Sequence, residues 1–519
     1  MKKVNIIIIA VVAAILAGIV ALLVIDKGEA EQKRKDLCMG IEFIAEEDVV
    51  KYDYYGKYDF EKLTYNGQPV PFDRKSWTIY ISQSPDNIGN YYDLTGELEW
   101  SDPSSTAQFI KNEALENLEE SVRNNVPLSL YITNGKTYRI VKVVITTLPV
   151  MNMEGKVSYK NEDDRDVLKG NVTLWTGKDP VTGKSNMQTS ELEWHVRGHY
   201  SAGQPKKPWK LSLKDENGLN NHLDFLGMGA DDDWILNCLT MDDTRIKEKL
   251  MMDYWNILAA REDHLYKMST GEYVEVVIND QYMGLFLLQR RVDGKYLELG
   301  DDDVLLKAVN YGLTKAEDAY EFITDPVNEK QIYSTMQKVL DQKDSSMYNL
   351  ENMVDTNLML QFTSSVDNQG LKNIYHVLVK KGNSYEHYLI PWDTDQSMGV
   401  VWSASKKDFD YDANRSVKER VIRKETNAMI KARPDYYELE AARWLELRES
   451  LIIEENILKD IDALYTELSE CGAFARDTDL WGMRYGKEDT IDALKLFFCD
   501  RLEYLDRYYK NALWTKSES

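Results

Sequence analysis

The sequence predicts a mixed α+β protein, a large bilobal domain preceded by a small α+β module and one N-terminal transmembrane helix. Three observations carry that expectation. An uncharged, almost wholly apolar run from Val4 to Ile25 opens the chain, short strand-like segments crowd the middle, and the pattern beyond Arg433 is mostly helical. The chain has 519 residues, 43% of them hydrophobic and 11% aromatic. That much apolar surface excludes a disordered chain and accommodates about two to four domains.

Taken in order, Val4–Ile25 is long enough to span the roughly 30 Å hydrocarbon layer as a helix. Lys2 and Lys3 precede it, and Gly28, Glu29 and Ala30 make a poor cleavage site, so residues 1–25 are expected to be an uncleaved anchor. A charged stalk, 26–40, follows. Residues 41–140 form the small module. There Trp77–Ser82 has strand composition, and Asp102-Pro103 predicts a helix with Ile110, Ala114, Leu118 and Val122 on one face. Asn134-Gly135 predicts a hairpin between strands at Leu128 and Tyr138. The large domain is placed at 141–515. Its strands are expected at 172–175, 192–196, 209–213, 273–278 and 282–288, the last two joined through Asn279-Asp280. Helices are expected at Asp243–Ala260, after Asp325-Pro326, and at Ile491–Leu513.

Charge and motif content narrow the function. Sixty-three basic against 87 acidic residues leave a net charge of −24, which repels phosphate backbones and argues against nucleic-acid binding. The four cysteines, Cys38, Cys238, Cys471 and Cys499, form no CxxC, and no HExxH, P-loop, GxGxxG or GxSxG is present. One or two disulfides stay open for an exported chain.

Three segments carry chemistry. Arg197-Gly198 with Ser201 precedes a strand, Trp209–Lys214, that turns Lys210, Ser212 and Lys214 to one face. This could present lysine to phosphate oxygens; a solvated strand face is the plainer alternative. The second segment runs from Asp367 to Asn373, and the third is Pro391-Trp392-Asp393-Thr394-Asp395, near Gly399. A hairpin turning at Gly382-Asn383 separates them, so Asp367, Asn373 and Asp393 should converge. Two carboxylates and an amide suit a hard cation such as Mg²⁺ whose other ligands come from phosphate, an arrangement protein kinases use. An Asx-turn beside a buried Trp–Asp hydrogen bond is the structural alternative.

In order and spacing these segments resemble the spore coat protein H (CotH) kinase-like family from about Leu148 to residue 510. Further matches are Asp233-Trp234 with Leu236, Asp242 with Thr244, and the Asn279–Leu288 hairpin containing Gly284. The resemblance implies an atypical protein-kinase-like fold that uses ATP with Mg²⁺ (or Mn²⁺) and phosphorylates serines of secreted or surface proteins. By position, Asp367 resembles the catalytic aspartate. Asn373 and Asp393 resemble metal ligands, with Asp395 assisting. Lys210 resembles the phosphate-contacting lysine, with Lys207 and Lys214 as alternatives, and Arg197 joins the cofactor site. Arg290 stands where the family's hairpin ends in glutamate. There it either contacts phosphate in compensation or marks a lapsed kinase that serves as a surface assembly scaffold. With the anchor, the expectation is a single-pass cell-membrane protein whose large domain is extracytoplasmic and whose partner is a basic, Ser-rich protein.

Overall fold

The computed structural model describes residues 37–517 apart from 53, 61–62, 92–93, 95–96, 179–184, 199, 310–313, 342–345, 366, 369–372 and 401–428. The anchor expected at Val4–Ile25 lies outside these residues. Among the described residues no helix is long and apolar enough to cross a membrane.

The protein is mixed α+β, with β-rich sheets first, a closed barrel next and helices last. In the first module, Thr78–Ser82, Leu128–Thr133 and Tyr138–Thr146 build the middle of a seven-stranded sheet. The expected hairpin is present. Asn134 Oδ1 accepts from the Lys136 and Thr137 N–H groups, and Gly135 takes φ +80°. The helix expected behind Asp102-Pro103 is not. Asp102 instead caps a turn by accepting from Ser104 and Ser105. Ile110 lies in a strand, Thr106–Lys111, that pairs with the strands on both sides. Helix begins only after Asn112, whose side chain accepts from Leu115 N–H. Pairing from both neighbours supplied hydrogen bonds that outweighed a fortuitous four-residue spacing.

Seven strands close the barrel: Val150–Lys160, Asp166–Lys178, Ser185–Val196, Trp209–Lys214, Asp233–Asn237, Gln281–Arg290 and Gly271–Ile278. All five strands expected in this region are among them. Closure is a parallel pairing of the first with the last, Val150 opposite Glu275. Alternate residues fill the interior, among them Leu174, Leu192, Trp194, Leu211, Leu213, Trp234 and Leu288. Gly155 makes room for the Trp194 ring, which would lie 2.3 Å from a Cβ there. The 281–290 strand returns tightly because Asn279 and Asp280 both adopt positive φ, 49° and 60°.

Beyond the barrel, a four-stranded sheet contains the hairpin Ile374–Lys381 and Ser384–Pro391, turning at Gly382. The helices Lys247–Ala259, Leu350–Phe362, Tyr436–Ser450 and Ile491–Ser517 share one large core with it. The helix expected after Asp325-Pro326 starts later, at Glu329, capped by Asn328, and buries Ile332, Met336 and Leu340 as its stripe implied. The first module is joined to the barrel by a Tyr80–Tyr282 stack at 4.2 Å. It meets the last third through Arg476, which donates to both Glu275 oxygens (2.8 and 2.7 Å) and to Asn125 (2.9 Å). Cys38, Cys238 and Cys471 are buried, Cys499 is half-buried, and all four are free thiols, so the fold uses no disulfide.

Glu440 on the Tyr436–Ser450 helix is buried, with Oε1 unpartnered among the described residues. Burial pushes its carboxyl up to about 8. The folded state therefore keeps a proton that the unfolded chain has lost once pH exceeds about 4.5. This contribution is fully present at lower pH and is lost as pH rises towards 8. Glu440→Gln is expected to flatten that slope and to stabilise the protein at pH 7 by about 3 kcal/mol. Denaturant unfolding at pH 5 and pH 7 tests this; an unchanged slope in the variant would refute it.

Candidate active site

The hairpin brings its outer ends together, as its turn implies. Ile374 is paired with Pro391, so Asn373 and Trp392 lie side by side, and Trp392 N–H donates to Asn373 C=O at 3.1 Å. A buried asparagine with no motif to mark it locks them. Asn368 Nδ2 donates to Asn373 C=O (2.7 Å) and to Trp392 C=O (2.8 Å), with the side chain fully buried. Asn373 and Asp393 both take left-handed backbone, φ +55° and +54°. Asn373 Nδ2 donates to Asp367 Oδ2 at 2.7 Å. Asp367, Asn373 and Asp393 are thus gathered, and Asp395 lies within the same field.

A further carboxylate joins them. Glu248, on the first turn of the Lys247–Ala259 helix, is buried and accepts from Thr394 Oγ1 at 3.2 Å. Burial, and then the charge of Asp393, push its carboxyl up to about 8. Burial followed by Asp393, Glu248 and Asp367 push Asp395 well above the carboxylate range. The helix start is set by Asp242, which accepts from Thr244 N–H (2.9 Å) and Lys247 N–H (2.7 Å). Nothing local distinguishes Glu248 from any other first-turn acid, so only the tertiary fold reveals it. Oxygen donors packed until they raise one another's affinity for protons form a set that a hard divalent cation would relieve.

The barrel presents cations to this region. Lys210 and Ser212 project outward from the 209–214 strand, as strand alternation predicts. Asp233 receives Lys210 Nζ at 3.3 Å on Oδ2 and Ser212 Oγ at 2.7 Å on Oδ1, and Arg291 pairs with the same Oδ2. Burial works against the Asp233 charge, yet Lys210, Ser212 and Arg291 outweigh it and hold the carboxyl below its usual range. Arg165 fixes the turn before this strand by donating to Val196 C=O (2.8 Å) and Gly198 C=O (3.0 Å). Gly198 takes φ +81°, and a Cβ there would lie 2.4 Å from Ser201 Oγ.

Tyr375 marks where the two groups meet. It lies two residues beyond Asn373, tilted against Trp392 at 5.3 Å. Burial pushes its hydroxyl up to about 12, Arg197 and Arg291 pull it down, and Asp393 pushes it further up. Arg197 and Arg291 on one side and the carboxylates of Asp393 and Asp293 on the other therefore act on one phenol.

Lys214 lies four residues along the strand from Lys210 and bonds Asn220 Oδ1 at 2.7 Å on an exposed surface, so it is not gathered here. Lys207 is bound to Ala202 C=O at 2.7 Å. Arg290 is turned away from this face. Its guanidinium packs over Trp234 and Tyr296 and donates to Asp231 (2.6 Å), Met228 C=O (3.0 Å) and Gly229 C=O (2.5 Å). The cause is register. Arg290 is paired with Trp234 and shares strand parity with Leu288, both barrel-core residues.

Compared with known protein families, residues 194–505, about three fifths of the chain, match the family described as CotH kinase protein. The match begins inside the third barrel strand, so two of the seven strands precede it. No curated protein matches the chain.

Proposed function

Because this chain belongs to the CotH kinase family, we propose that it is an active atypical protein kinase of two-lobed architecture that transfers the γ-phosphate of ATP to serine hydroxyls. The observation that carries the proposal is the gathering of Asp367, Asn373, Asp393 and Asp395 at the outer ends of the hairpin, with Lys210 and Arg291 paired on Asp233 of the barrel face. The donor set fits a Mg²⁺ or Mn²⁺ ion. Asp393, Asp395 and Asn373 would hold it, and when bound it neutralises charge on the phosphates.

The chain's own residues do the rest. Lys210 and the turn held by Arg165 draw the phosphates towards the barrel face. Asp367, oriented by Asn373, accepts the serine proton as the hydroxyl oxygen bonds to the γ-phosphorus and the bond to the ADP oxygen breaks. Incubating the purified chain with labelled ATP, Mg²⁺ or Mn²⁺ and basic Ser-rich peptides tests this. Transfer to serine is expected; neither transfer nor autophosphorylation with any metal overturns it. Nucleotide binding without turnover would support the second reading, a lapsed scaffold.

The Val4–Ile25 run supports a membrane-anchored kinase facing secreted or surface proteins. Protease added to intact cells should digest the large domain; protection until lysis would reverse that topology.

A further inference from the structure

The sequence places two arginines in succession at the end of the 281–290 strand, and the fold sends them to opposite faces. Arg290 is consumed inside by Asp231 and two carbonyls. Arg291 leaves on the outer face, a third exposed, where Nη1 pairs with Asp233. We propose that Arg291 is a phosphate ligand of the nucleotide site, held ready by Asp233. The inference rests on the kinase reading above and adds a binding residue to it.

Two features support the role. Lys210 and Arg291 converge on one carboxylate, Asp233, which sets Arg291 beside the lysine that resembles the phosphate-contacting one, while Asp293 also acts on Arg291. Both cations share a single oxygen, Oδ2, while Ser212 holds the other. Arg291 reaches Asp233 through one nitrogen, and a guanidinium has five donors arranged to grip a tetrahedral anion by two at once. Asp233 meanwhile gives Lys210 the carboxylate partner that Arg290 cannot.

The test uses the full-length chain titrated calorimetrically with ATP and with adenosine, both in Mg²⁺. Arg291→Ala is expected to weaken ATP about ten- to hundredfold, the range for a lost charge-assisted contact, and to leave adenosine affinity unchanged. Arg291→Lys should recover part of the ATP affinity. The melting temperature without ligand shows whether the variants are folded. Equal losses for ATP and adenosine would mean a structural role and overturn the proposal. Unchanged ATP affinity in Arg291→Ala, with normal binding by the parent, overturns it while leaving the kinase reading intact. A parent chain that binds no ATP overturns both.

Discussion

Asp393→Asn is expected to cut phosphoryl transfer by about a hundredfold or more and to weaken Mg²⁺ binding, with little change in the unfolding midpoint. The substitution keeps the side-chain shape and removes a charge that the cation needs. Asparagine is also the conservative choice for the backbone, because Asp393 sits at φ +54°, a region asparagine tolerates. Asp393→Ala would lose the same ligand and add about 1–2 kcal/mol of backbone strain, confusing the result. Removing one negative charge also eases the repulsion that raises Glu248 and Asp395. The folded state should therefore be no weaker, and the unfolding midpoint is measured alongside the rate. A variant that turns over at the parent rate would show that Asp393 is not a metal ligand.

Arg290→Glu is expected to destabilise the protein by about 3–5 kcal/mol and to restore no catalytic function. The family's glutamate at this position invites the substitution, but the structure shows what it would meet. A carboxylate would face Asp231 and the carbonyls of Met228 and Gly229, replacing three favourable contacts by repulsion in a buried setting. It would also strip the cation from between Trp234 and Tyr296. Denaturant unfolding reads the effect directly. Parent-like stability would mean that the Arg290–Asp231 pair contributes nothing, and a gain in activity would return position 290 to the catalytic machinery.

The contrast between positions 290 and 291 shows how far the sequence could be read. Strands and hairpins were legible where alternation met a turn signal, as at Asn279-Asp280 and Gly382-Asn383. The convergence of Asp367, Asn373 and Asp393 followed from the second of these. Barrel closure was not legible, because the parallel pairing of 150–153 with 275–278 joins segments far apart in the chain. The four-residue spacing through Ile110 misled for a related reason: a strand flanked by two partners overrode local periodicity. The parity of Arg290 with Leu288 was available from alternation alone, but its meaning needed the knowledge that Leu288 faces the barrel core. Glu248 and Asn368 could be placed only by packing, since Glu248 meets Thr394 and Asn368 ties Asn373 to Trp392, contacts that reach more than twenty positions along the chain.

The left-handed backbone at Asn373 and Asp393 has a consequence for how this site changes over evolutionary time. Asparagine, aspartate and glycine are the residues that occupy such conformations at low cost, whereas β-branched side chains clash there. Mutational drift at these two positions is therefore channelled into a narrow alphabet, and the step from aspartate to asparagine needs no adjustment of the fold. A descendant that had abandoned chemistry would retain the hairpin, the Asn368 lock and its stability, and would differ at first by one atom's charge. Inactivity in this architecture leaves no scar in the backbone, so paralogues should be sorted by the identity of residue 393 rather than by how well they fold.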